Sequence, residues 1–167
     1  LTNTTTATSI LPTAAKLLLP GNFFSYIGQE IIVEASGRIS TLVTTPGTLT
    51  FQFRLGPSST IIAATSPAFA LNVVAKTNVT WWLRWAMTVR ALGTGTTANL
   101  MHTGFWGSEA VIGSPLPTVG GAGILMIPAS APAVGTGFDS TIGNISDLFA
   151  QWSVANAANS IQLHQYR

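Results

Sequence analysis

The sequence predicts an all-β protein, a single antiparallel jelly-roll β-sandwich of about eight to ten strands. Three observations carry that expectation. Glycine and proline, 16 and 9 among 167 residues, interrupt the chain at short intervals. The segments between them alternate apolar and polar residues with the period of two that a strand needs, not the 3.6 of a helix. The length, 17.4 kDa, is that of one domain able to bury roughly 70% of its unfolded surface.

The chain opens on LTNTTTATS, which has neither the basic nor the apolar region of a secretory signal. Residues 1–12 are therefore expected as a mature polar arm. It should be flexible alone and ordered where a neighbouring subunit or an underlying shell offers hydrogen bonds along an edge strand. The jelly-roll domain is expected over 13–167. Ser9 to Leu19 and the segment near Phe23 leave room for a turn or two of helix at most, because Pro12 and nearby glycines break it. Glu30 to Ala35 turns Ile31 and Val33 inward, Ser36-Gly37 breaks the strand, and Arg38 to Val43 resumes it. Thr44-Thr45-Pro46-Gly47 carries a Pro-Gly turn.

Thr48 to Leu55 sends Leu49, Phe51, Phe53 and Leu55 one way and Thr48, Thr50, Gln52 and Arg54 the other, the pattern of a half-buried strand. Gly56-Pro57-Ser58-Ser59 separates it from Thr60 to Ala64, and Phe69 to Val74 reads as a further short strand. Asn78 to Ala91 is the longest alternation. Val79, Trp81, Leu83, Trp85, Met87 and Val89 share its inner face, with Trp82 and Arg84 on the outer one. The glycine turn at 93–96 returns the chain through Asn99 to Ala110 as a hairpin partner. The stretch Gly113 to Gly123 is expected to cross one end of the sandwich. Ile124 to Pro128, Ser146 to Val154 and Ser160 to Arg167 complete the strands. The core is expected around Phe51, Phe53, Trp81, Leu83, Trp85, Leu148 and Trp152. A jelly roll is favoured over an immunoglobulin sandwich, which is nearer 100 residues and carries a Cys-Trp-Cys core.

Composition narrows the chemistry. Only 7% of residues are charged, against about 25% in an average domain. The surface must therefore be built from Ala, Gly, 14 Ser and 23 Thr. There is no cysteine, which removes disulfides, thiolate metal sites and thiol nucleophiles. The net charge of +2 and pI near 9.5 come from scattered cations, so no nucleic-acid partner is expected. No apolar run reaches the ~18 residues of a membrane span, so no membrane partner is expected either.

His102 and His164 lie in expected strands with few carboxylates to join them, so no metal site is assigned. Asp139 and Asp147 fall beside turns, where Asp caps backbone amides, and no glycosidase pair is expected. No Gly-x-Ser-x-Gly elbow is present. The glycines at 93–95 and 135–137 suit turns and not phosphate cradles, and no cofactor is expected. The sequons at Asn3, Asn78 and Asn144 are ones a Thr-rich chain produces by chance. The aromatic residues say more. Trp82, outward beside Arg84, loses burial unless something covers it, so it is either a subunit contact or a ligand platform. Trp106 is its expected companion if the ligand is a sugar. Subunit contact is the favoured reading, since a charge-poor surface leaves sheet edges unguarded.

NVVAKTNVTWWLRW (Asn72 to Trp85), GTGTTANLM (Gly93 to Met101), SEAVIGSPLP (Ser108 to Pro117), AVGTGFDST (Ala133 to Thr141) and DLFAQWSVANAANSIQLHQYR (Asp147 to Arg167) resemble small structural proteins of tailed bacteriophages and related environmental phage genomes. The resemblance spans the chain from about Leu18 onward. It implies a virion component of jelly-roll type, without enzymatic activity, assembled in the bacterial host cytoplasm. The expected role is a capsid decoration or cement protein that binds the head surface and self-associates. The alternative is a fibre or tail module recognising host-surface glycans. The implied partners are the chain itself, with a trimer preferred, and the major capsid protein or other virion proteins. Trp82, Arg84 and Trp106 are the expected contact residues. Many chains of this kind run a few residues past QLHQYR, which leaves the position of the natural carboxyl terminus open.

Overall fold

The alternation of β-branched and aromatic residues builds two antiparallel sheets in a computed structural model that describes residues 1–111, 123–131 and 134–167. The strands, in chain order, are β1 (Thr8–Ser9), β2 (Leu17–Leu19), β3 (Glu30–Thr41), β4 (Thr48–Leu55), β5 (Ile61–Thr65), β6 (Phe69–Ala70), β7 (Lys76–Ala91), β8 (Asn99–Ser108), β9 (Gly123–Ile127), β10 (Asn144–Trp152) and β11 (Ser160–Tyr166). One sheet has the order β1-β10-β4-β5, with β2 also on β10 and β6 also on β4. The other runs β11-β3-β7-β8-β9. The expected all-β sandwich is therefore present. β3 lies beside β11 and β4 beside β10, so two successive strand pairs wrap together across both sheets. That wrap is one step of a jelly roll, whereas the meander β7–β8–β9, held in a single sheet, departs from it.

The inward faces meet in one apolar core. All seven residues expected at its centre are fully buried, joined by Trp106, Phe69 and Phe138. Aromatic rings do much of the packing. Phe51 on one sheet meets Trp81 and Trp106 on the other at centroid distances of 5.7 and 5.5 Å. Such pairs add about 0.5–1.5 kcal/mol each beyond the area they bury.

Several local expectations are corrected. β3 is continuous through Ser36-Gly37, where a break was expected. Gly37 is needed there because a Cβ would run into the Gln162 carbonyl of β11 and approach Trp81 Nε1 to 3.0 Å. The strand at Phe69 stops at Ala70 and does not reach Val74. The only helical turn between Ser9 and Leu19 is 3-10, at Thr13–Ala15, flanked by β1 and β2. These two short strands bring the described count to eleven. The expected crossing connection over 113–123 lies outside the described residues except for Gly123, which opens β9.

The largest correction concerns the arm. Residues 1–12 were expected to be flexible or held by a partner, yet they lie on their own domain. Thr2 bridges Ser160 at the edge of β11, and β1 pairs with Phe149 and Ala150 of β10. Gln151 Nε2 donates to the Thr5 carbonyl over 3.0 Å. The arm thus crosses from the edge of one sheet to the edge of the other. Its polar composition is no obstacle, since an edge strand asks for backbone partners and not for apolar bulk. Leu11, buried at the end of this stretch, adds a core contact.

Candidate functional site

The outer face of the β11-β3-β7-β8-β9 sheet gathers the chain's scarce charge. Glu30, Glu34 and Arg38 on β3, Lys76, Arg84 and Arg90 on β7, and Arg167 just past β11 are seven of its twelve charged residues. Strand register sets the rows. Ser36, Trp82, Gly107 and Ile124 align across β3, β7, β8 and β9. Glu34, Arg84, Phe105 and Met126 form the next row.

Trp82 is 42% exposed, as expected, and its ring is braced edge-on by Phe105 at 4.8 Å and 65°. Trp81, Trp85, Trp106 and Trp152 are fully buried, so Trp82 is the one indole that solvent reaches. Gly107 beside it has no side chain to fill the row, which leaves the ring standing as a ridge. On one flank is a depression of about 260 Å³ lined by Glu34, Ser36, Gln165 and Arg167. On the other is one of about 510 Å³ reaching Asn78, Thr80, Glu109 and Ile124.

Arg84 also lies where expected, on the same strand face as Trp82. Its Nε donates to Glu34 Oε1 over 3.2 Å, and Arg167 Nε donates to Glu34 Oε2. The Arg167 hydrogen bond, then the charge of both guanidinium groups, holds the Glu34 carboxyl below its usual range. Glu34 therefore stays ionised and spans two arginines. Among the described residues, the Nη groups of both arginines make no hydrogen bond.

Trp106 is corrected. It was expected outward as the companion of Trp82, but its register partner is Leu83, and both point into the core. Its ring stacks on Phe69 at 4.9 Å and 27°. The surface pairing of Trp82 with Trp106 does not exist.

The remaining titratable residues serve structure. His102 is buried, and its Nδ1 accepts from Trp85 Nε1 over 3.1 Å. His164 is exposed at the bulge between Leu163 and Gln165. Asp139 caps as expected, accepting from the Gly95 and Thr141 amides at 2.8 Å each and from the Thr141 hydroxyl at 2.6 Å. Asp147 does not cap a turn. It is fully buried in β10, paired with Lys16 Nζ at 2.6 Å and accepting from Ser9 Oγ at 2.6 Å. Among the described residues no three His, Asp or Glu side chains gather as metal ligands.

Two features escaped the sequence reading. Glu34, Gln165 and Arg167 join the site only through register, which pairs Glu34 with Arg84 and Ser36 with Gln165. Six further exposed apolar residues, Leu17, Leu18, Phe23, Tyr26, Ile27 and Ile32, fall at and after β2, and Leu17, Phe23 and Ile32 among them border one cleft. The Leu17-Leu18-Leu19 run was their one signal, obscured because the segment reads equally as a helical turn.

Comparison with protein-family models, with curated proteins and with solved structures finds no match to this chain.

Proposed function

We propose that the chain is a structural protein of a bacteriophage particle, a capsid decoration protein that binds the head surface and self-associates, with a trimer as the preferred form. The observation that carries this reading is the run of exposed apolar residues between Leu17 and Ile32 on a charge-poor domain. Leu17, Leu18, Tyr26 and Ile27 are each 58–66% exposed, and Leu17, Phe23 and Ile32 border a common cleft of about 120 Å³. Exposed apolar groups of this kind are covered in functioning assemblies. The resemblance to phage structural proteins supplies the setting: the virion, built in the host cytoplasm and including the major capsid protein as partner. The wrap of β3–β4 against β10–β11 supports the jelly-roll part of the reading.

Sedimentation of the purified chain tests self-association. An oligomer that Tyr26→Ser with Ile27→Ser reduces to monomer supports it, and a monomer at all micromolar concentrations counts against it. Electron microscopy of particles tests placement, with copies arrayed over the shell as the expected result. A second reading, a fibre or tail module that recognises host-surface glycans, is favoured by one observation: Trp82 stands between two polar-lined depressions. Copies found only at a tail or fibre tip would select it.

A further inference from the structure

The arginines beside Trp82 have an unused valence that neither the core nor the ion pair accounts for. Each gives only its Nε to Glu34, one to each carboxylate oxygen. Their side chains are 43% and 83% exposed, and their Nη groups stay available to a ligand. Glu34, Arg84 and Arg167 together carry one net positive charge. A planar guanidinium with two free amino groups suits a carboxylate, which it can hold through paired hydrogen bonds.

We propose that the depression between β3, β7 and β11 binds acidic saccharides, with the sugar's apolar face on Trp82 and its carboxylate on Arg167, which lines the depression, and on Arg84, which lies at its border against Glu34. Glu34 is a positioning residue that fixes both guanidinium groups. The proposal deepens the glycan reading of this face, and it applies wherever on a particle the protein sits. Three features favour a sugar over a second copy of the chain. The Trp82 ring is braced by Phe105, so stacking on it orders little that is not already ordered. The surface is ridged, with hollows on both flanks, where a contact between two sheet faces wants continuous complementarity. Burying both arginines against a copy would strand their Nη groups unless that copy brought carboxylates, and acids are few in this chain.

The geometry also sets the ligand's length. A hollow of about 260 Å³ lies at the small end of ligand clefts and takes a single ring. The hollow of about 510 Å³ beyond Trp82 offers Asn78, Thr80 and Glu109 to the next residues of the chain. An oligosaccharide laid across the ridge should therefore bind better than its monosaccharide. The acid-bearing ring belongs on the arginine side, where two guanidinium groups face one carboxylate, whereas the other hollow offers Glu109, already paired with Lys76 at 3.8 Å.

Trp82 reports directly on this, since it is the solvent-accessible indole. The full chain is titrated with trigalacturonate and with 3′-sialyllactose, against cellotriose and lactose as neutral controls. The readouts are acrylamide quenching of tryptophan and calorimetry. The expected result is protection of Trp82 by the acidic probes at tenfold or more lower concentration than by the neutral ones, with galacturonic acid itself weaker than its trimer. Arg84→Gln and Arg167→Gln should each remove most of the acidic preference, bringing the acidic probes close to the neutral ones. Trp82→Ala, followed by calorimetry and with its fold checked by circular dichroism, should abolish binding of both kinds. The proposal is overturned if neither acidic probe protects Trp82 up to 10 mM, or if neutral and acidic probes bind alike. It is equally overturned if Trp82 becomes shielded as protein concentration rises without sugar, which would make this face a contact between copies. Sedimentation of the same samples scores self-association separately, so the two readings can fail independently.

Discussion

Trp85 donates its indole Nε1–H to Nδ1 of His102 across 3.1 Å inside the core. That bond needs a neutral imidazole, because a protonated ring would present a second donor to the indole. Burial likewise pushes the His102 pKa below its ordinary value. The unfolded chain, with its imidazole near ~6.5, therefore binds the proton more tightly than the folded one. Stability from this residue is complete above ~6.5 and declines as pH falls below it, by up to about 1.4 kcal/mol per pH unit until the folded histidine also titrates. Urea unfolding between pH 7.5 and 5.5 should show the decline. His102→Gln, which keeps an acceptor for Trp85, should flatten it. Glu34 and Asp139, whose pKa values are lowered in the fold, act in a separate and more acidic window, losing their contribution as pH falls below ~4.5.

The two tryptophans at 82 and 106 should part company on truncation. Trp106→Ala opens a cavity between the sheets and should cost ~3–5 kcal/mol in chemical denaturation. Trp82→Ala removes a half-exposed ring resting on Phe105 and should cost ~1 kcal/mol or less. Equal losses would contradict the opposite placement of these rings.

The Asp147 carboxylate ties the arm to β10, and its partners should be costly to remove. Ser9→Ala should destabilise by about 1–3 kcal/mol. Lys16→Met, which strands a buried charge, should cost about 3 kcal/mol. Deleting residues 1–9 exposes the edge of β10 and should lower the melting temperature by several degrees. An unchanged Tm in scanning calorimetry would show that the arm is not held by its own domain.

Gly37→Ala should loosen the contact between β3 and β11. The new methyl meets the Gln162 carbonyl and crowds the Trp81 indole, which donates to that carbonyl over 3.1 Å. Overpacking of this kind costs about 1–3 kcal/mol. Hydrogen exchange should quicken at β11 amides before it does at β8 amides. Uniform exchange across the sheet would argue against a local effect.

Where alternation was unbroken, the strands were legible from residue order alone. β4, β7 from Val79 to Val89 and β10 from Leu148 to Trp152 present apolar residues on one face without exception, so their facing and their core membership follow from parity. β8 shows why parity can fail. Leu100, His102, Gly104 and Trp106 share its inner face, while Met101 and Phe105 occupy the outer one. Both faces mix apolar with small or polar residues, and only the pairing of Trp106 with Leu83 decides which way the ring points. Gly37 misled for a related reason: an isolated glycine reads as a break, although here it admits a neighbouring strand. The site was legible only in part. Trp82 and Arg84 announce themselves as an outward aromatic and cation, but Glu34 and Arg167 lie 133 positions apart and meet only through the pairing of β3 with β11.

The placement of β10 also constrains how the molecule is made. This strand lies between β4 and the arm, so neither of its neighbours is paired on that side until residues 144–152 exist. At translation rates of ~5–20 residues per second, about ten seconds separate the synthesis of β4 from that of its partner. Throughout that interval a nascent chain carries an open, aromatic-rich strand edge with few charges to repel another. Polysomes place such chains side by side, and the same edge on a neighbouring nascent copy is an equally good template. Yield of folded chain should therefore depend on ribosome spacing and on chaperone capacity more than on the final stability of the fold.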